Sequence, residues 1–104
     1  MQRRSEPRFS VWESVVLTVL GKQPTYWPAT VVDISRSGYR LLSGVQLEVG
    51  TEVVITLNSV DIFGSIRHCE RHDEDSFTAG VQISKVTSEE DQPSEPVAVE
   101  ALDA

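Results

Sequence analysis

Residues Phe9–Leu20 read FSVWESVVLTVL, with Phe9, Val11, Val15, Leu17 and Val19 at odd positions and only Glu13 interrupting them. The even positions mix Ser10, Ser14 and Thr18 with Trp12, Val16 and Leu20. A period of two is the repeat of a strand with one buried face. The segment Gly21-Lys22-Gln23-Pro24 follows. Glycine tolerates a positive φ and proline cannot continue a ladder, so this is a turn and a hairpin is expected after it.

The same reasoning continues along the chain. A strand from about Tyr26 to Ile34 runs into the turn residues Ser35-Arg36-Ser37-Gly38, and Tyr39 to Leu42 resumes an extended apolar run. Gly44 and Gly50 bracket a loop carrying Val45, Leu47 and Val49. Thr51 to Leu57 is then a β-branched strand with Val53, Ile55 and Leu57 on one face, broken by Asn58-Ser59. Ile62 to Arg71 and Phe77 to Ile83 are two further strands, joined by the polar stretch His72-Asp73-Glu74-Asp75-Ser76. About six short strands joined by turns, without a long helical pattern between them, predict an all-β antiparallel fold. At this size a closed β-barrel removes exposed edges.

The chain of 104 residues encloses one hydrophobic core and not two. The predicted organisation is an N-terminal arm over 1–8, a barrel over 9–85 and a tail over 86–104. The tail is rich in acid, Ser and Pro and poor in large apolar groups, so it is expected to be disordered; the arm is expected to be flexible. Cys69 is the only cysteine, which rules out an intrachain disulfide and suits a reducing compartment. MQRRSEPR has no apolar stretch after its basic residues and no run approaches membrane-spanning length, so a soluble cytoplasmic protein is expected.

The net charge of −7 opposes a general role in coating DNA or RNA. Positive charge is nevertheless concentrated at one end, where Arg3, Arg4 and Arg8 fall within eight residues, so an anion site is expected there. Arg4 and Arg8 are four apart and share a face in a helix or a strand. Pro7 biases Glu6 toward an extended conformation. Guanidinium forks suit phosphate oxygens and the O6/N7 edge of guanine. A solvated basic tail is the plain alternative. A second group is Asp33-Ile34-Ser35-Arg36-Ser37-Gly38. Asp33 and Ser35 stand two apart at a strand end, and a carboxylate there can accept from guanine N1–H and its amino group. Gly38 permits a positive φ or a close backbone approach. The plain alternative is an ordinary turn whose Asp and Ser bond their own backbone.

RxxxR followed some twenty-five residues later by DxSxxG, on a short six-strand β sequence, resembles the PilZ domain family. The likeness runs from Arg3 to about Ser84 and includes Gly64-Ser65-Ile66 and Ala79-Gly80-Val81-Gln82-Ile83. It implies an antiparallel barrel whose N-terminal arm closes over cyclic di-GMP, a bacterial second messenger with two guanines and two phosphates. By the same resemblance Arg4 and Arg8 grip guanine and phosphate, and Asp33, Ser35 and Gly38 form the motif on the barrel. An arginine at the position of Arg3 accompanies two intercalated ligand molecules rather than one. Ser37 stands where the family often has glycine, and no C-terminal helix pattern follows the strands. The function so implied is a stand-alone receptor, relaying the signal to a protein partner by ordering of its arm. The alternatives are a PilZ-like interaction adaptor with weak or no nucleotide binding and, less favoured by the acidic balance, a small barrel for single-stranded nucleic acid.

Other candidates are poorer. His68, Cys69 and His72 carry metal-ligand chemistry, but strand geometry sends His68 and Cys69 to opposite faces and a fourth ligand is missing, so no metal is expected. Trp12 and Trp27 are expected in the core or at its rim. Without a GxSxG elbow, a phosphate-binding glycine loop or an HExxH helix, neither catalysis nor a cofactor is expected.

Overall fold

The computed structural model describes residues 6–88. Within them lie six strands: β1 (Phe9–Val19), β2 (Thr25–Ile34), β3 (Gly38–Ser43), β4 (Glu52–Leu57), β5 (Val60–Asp73) and β6 (Ser76–Ser88). All pairings are antiparallel, and the strands join in the order β1-β2-β3-β6-β5-β4 with β1 also pairing β4, which closes the barrel. The described residues include no helix.

The alternation that marks the strands also builds the core. Val15 and Leu17 of β1, Val31 of β2, Tyr39 and Leu41 of β3, Val53 and Ile55 of β4, Ile66 of β5 and Ala79 and Val81 of β6 are all buried inside the ring. Each large aliphatic among them contributes about 1.5–3 kcal/mol by leaving water. Leu47, from the loop after β3, is also buried and donates its backbone N–H to Cys69 Sγ at 3.4 Å, so this loop covers part of the core.

The turns obey local chemistry. Asn58 (φ 54°) and Ser59 (φ 66°) are both left-handed between the paired residues Leu57 and Val60. Two positive φ values in a two-residue loop match the right-handed twist of the flanking strands. At the other end of β5, Asp73 pairs with Ser76 and its Oδ1 accepts from Asp75 N (2.9 Å) and Ser76 Oγ (2.8 Å).

Two expectations change. The polar stretch 72–76 is mostly strand: β5 runs to Asp73 and β6 starts at Ser76. Its residues are polar because this end of the hairpin is exposed rather than because it is a loop. β6 also runs to Ser88, past the boundary expected at 85, where pairing to Val60, Asp61 and Ile62 extends it. The barrel closes through a short seam: β1 meets β4 through Leu17, Thr18 and Val19, so Phe9–Val16 is laddered on the β2 side alone among the described residues. Trp12, 71% exposed, and Trp27, 37% exposed, are outside the core. Trp12 shares the outer side of β1 with Val16, which lies opposite Pro28.

Candidate functional site

Interruptions of the ladder aim the polar side chains. Residues directly opposite one another in an antiparallel pair project from the same face. Val31 lies opposite Leu41, and both are buried. An undisturbed strand would therefore put Asp33 inside as well. Instead β2 carries one extra residue between Val31 and Asp33, so that Asp33 lies opposite the outward-pointing Arg40. A bulge of this kind re-aims a side chain. β5 does the same between Ile66 and His68: Ile66 faces the core opposite Val81, and His68 lies opposite Gly80. The outcome is one outer row across five strands, Ser10, Asp33, Arg40, Gly80 and His68. Beside it Gly38 pairs with Gln82, which pairs with Ser65.

Two of the predicted site residues converge on a third. Arg8 donates from Nε (3.1 Å) and Nη2 (2.6 Å) to Asp33 Oδ1, and from Nη1 to Ser35 Oγ (3.2 Å). Arg40 donates from Nε (2.9 Å) and Nη2 (2.5 Å) to Asp33 Oδ2. Asp33 is thus gripped by a guanidinium on each oxygen. Its side chain is only 11% exposed, against 38% for Arg8 and 50% for Arg40. Burial acts to raise its carboxyl, but the hydrogen bonds from Arg40 and Arg8, reinforced by their charges, outweigh burial and hold Asp33 below the usual carboxylate range.

The arm is fastened at a second point, where Ser37 Oγ donates to Glu6 Oε1 at 2.7 Å, a bond that also lowers the Glu6 carboxyl. Glu6 and Arg8 therefore clamp the β2–β3 turn from outside. That turn is closed by Ser35 N and Ser35 Oγ, which both donate to Gly38 O (2.8 and 3.2 Å). Of the two reasons offered for Gly38, the close approach applies: a Cβ there would stand 2.6 Å from Val81 O. Arg3 and Arg4 lie outside the described residues.

Along these rows runs an open cleft of about 450 Å³, lined by Arg8, Ser37, Gly38, Tyr39, Arg40, Arg67, His68, Gly80, Val81 and Gln82. Gly38 and Gly80 add no side chains of their own to its floor, and the His68 ring lies against Gly80. Three guanidiniums on its walls make it a place for an anion with hydrogen-bonding edges, on a chain whose overall charge is negative. Arg67 donates to Gln82 Oε1 within it.

Sequence reading missed Arg40, Arg67, His68 and Gln82 as wall residues. The polar place of Arg40 between Tyr39 and Leu41 marks it as outward, but its partnership with Asp33 depends on the β2 bulge. His68 and Cys69 do diverge, His68 lining the cleft and Cys69 packing against the core, which leaves the HCERH segment without a shared ligand face. Among the described residues no group of three or more His, Cys, Asp or Glu side chains is placed to hold a metal ion. Trp12 and Trp27 do not line the cleft.

Comparison with known proteins bears on the fold and the family. The chain is similar in fold to the solved structure of the Bacillus subtilis inhibitor of motility (MotI/DgrA), with a TM-score of 0.57 and 13% sequence identity. The likeness covers 88% of this chain but 47% of that one, so this chain spans about half of its length. No curated protein matches by sequence. The family model of the PilZ domain matches residues 2–94, and the chain belongs to the PilZ domain family.

Proposed function

We propose that this chain is a cytoplasmic receptor for cyclic di-GMP that relays binding to a protein partner, and not an enzyme. Arg3, Arg4, Arg8, Asp33, Ser35 and Gly38 are the binding residues in this reading. The observation that carries it is the convergence of Arg8, Ser35 and Asp33 beside an arginine-walled cleft, on a chain of a family of nucleotide receptors.

The geometry suggests how a ligand would act. Asp33 offers carboxylate oxygens suited to guanine N1–H and amino donors, but both are engaged by arginine. A guanine seated on Asp33 takes over acceptor capacity that Arg8 now uses, and Arg8 turns its fork to the ligand's phosphate or O6/N7 edge. Arm and ligand are therefore coupled through one carboxylate. The clamp of Glu6 and Arg8 on the turn is what rearranges, and the signal passed on cannot exceed the ligand's differential affinity for the two arm positions. β1 follows Arg8 directly, and its exposed Trp12 and Val16 supply apolar surface for a partner that senses the change.

The test is titration calorimetry with cyclic di-GMP, and with GTP as control, on the parent chain, Arg8→Ala and Asp33→Ala. Expected are binding absent with GTP and a loss of at least about tenfold, about 1.4 kcal/mol, in each variant. Undiminished affinity in Arg8→Ala would sink the role of the clamp. One or two ligands per chain is read from the same stoichiometry.

A further inference from the structure

Arg67 and His68 form the wall of the cleft that the two sequence motifs leave unexplained. The β5 bulge sets both against the outer cleft, while Ile66 before them and Cys69 after them pack inward. The His68 ring lies close against the sheet: a Cβ added to Gly80 would stand 2.3 Å from Nε2, 2.8 Å from Cε1 and 2.9 Å from Cδ2. Contact through three ring atoms places the imidazole over the glycine, in a space that any other residue at 80 would fill. A ring lying over its own sheet leaves its opposite face toward the cleft.

Asp33 and His68 stand in the same cross-strand row, separated by β3 and β6. Three inter-strand spacings amount to about 14 Å. One purine cannot touch both, whereas a ligand carrying two bases can. Asp33 offers hydrogen-bond acceptors, which read a base edge; His68 offers a flat π-face, which reads no edge and stacks on any base.

Resting on the proposed reading of the cleft as a cyclic dinucleotide site, we infer that His68 is the stacking platform for the ligand's second base and that Arg67 leaves Gln82 to engage a phosphate. The site then has two unlike ends. The Asp33 end selects guanine, and the His68 end holds the other base by its face.

Titration of cyclic di-GMP into the parent chain, Arg8→Ala, His68→Ala, His68→Phe and Arg67→Gln separates this inference from the reading beneath it. His68 is exposed, so its variants are expected to fold, as circular dichroism verifies. Expected are a loss of about tenfold or more in His68→Ala, retention within about threefold in His68→Phe, which keeps the ring, and a flatter salt dependence in Arg67→Gln. The His68 ring protons should also move upfield in NMR spectra on titration, because a stacked purine shields them. If Arg8→Ala loses binding while His68→Ala matches the parent and the ring resonances stay still, the platform is refuted and the receptor reading stands. No binding by the parent chain overturns both.

Discussion

Replacing Asp33 by Asn tests the centre of the site without any ligand. The amide keeps the shape of the carboxylate but removes its charge and turns one oxygen into an N–H donor, which then faces a guanidinium. Four N–H···O contacts from Arg8 and Arg40 converge on Asp33, and each charge-assisted bond is worth about 1.5–3 kcal/mol where water is excluded. Here the two arginines are 38% and 50% exposed and rehydrate when released, so exposure cuts the sum heavily. The expected cost is about 2 kcal/mol, which for a domain of this size lowers Tm by about 8–16 °C. The pH dependence gives the sharper test. Asp33 is held below its ordinary value in the fold, so its contribution is present above the unfolded value near pH 3.9 and is lost as pH falls through the folded one. Urea unfolding followed by circular dichroism at pH 7 and again near pH 2 should show a large gap between parent and Asp33→Asn that closes on acidification. Equal midpoints at pH 7, or a gap of the same size at both pH values, would refute the account of Asp33 as a doubly paired anion.

Three other substitutions probe the frame around it. Tyr39 is 1% exposed and its hydroxyl is the one buried side-chain polar atom without a hydrogen-bond partner among the described residues; Tyr39→Phe should leave thermal stability unchanged or raise it by up to about 1 kcal/mol. Burial pushes the Tyr39 phenol above its ordinary value, so its neutral form favours the fold until pH rises past about 10, and the phenylalanine variant should lose less stability in alkali. Ser59→Gly, at φ 66°, should raise the free energy of unfolding in urea by about 0.5–1 kcal/mol, because glycine adopts this conformation without a Cβ penalty. Gly38→Ala should destabilise the domain by about 1–3 kcal/mol in thermal melts, since its Cβ would press to 2.6 Å from Val81 O and part β3 from β6; an unchanged melt would show that the strands yield easily there.

Much of the fold was legible because alternation of side chains is a local property. Val15 and Leu17, Val53 and Ile55, and Ala79 and Val81 announce their strands and their inner face at once, and Asn58-Ser59 announces its turn. The site was legible only in part. Arg8, Asp33 and Ser35 could be paired by motif, and the structure brings them together. What the sequence does not display is the bulge, because an extra residue in a ladder changes facing without changing composition. Read by strict alternation, Asp33 would point inward with Val31, and neither Arg40 nor His68 would share its row. Arg67 and His68 were obscured for the same reason: two adjacent outward residues break the alternating pattern that strand reading relies on. The extent of β6 beyond Lys85 was missed because Val86, Thr87 and Ser88 are too short a run to show alternation and are held by backbone pairing, which carries no side-chain signature.

The short seam between β1 and β4 bears on how the protein fails. Three residue pairs and the bond from Leu20 N to Glu52 O hold it, whereas β5 and β6 are laddered along almost their whole length. Local opening favours the stretch with fewest bonds, so the seam is expected to part before any other strand boundary. What then forms is a flat-edged sheet whose newly bare margins carry Leu17, Val53 and Ile55, and such margins pair with one another across molecules. Clumping on gentle warming should therefore depend steeply on concentration and begin below the temperature at which the rest of the sheet melts.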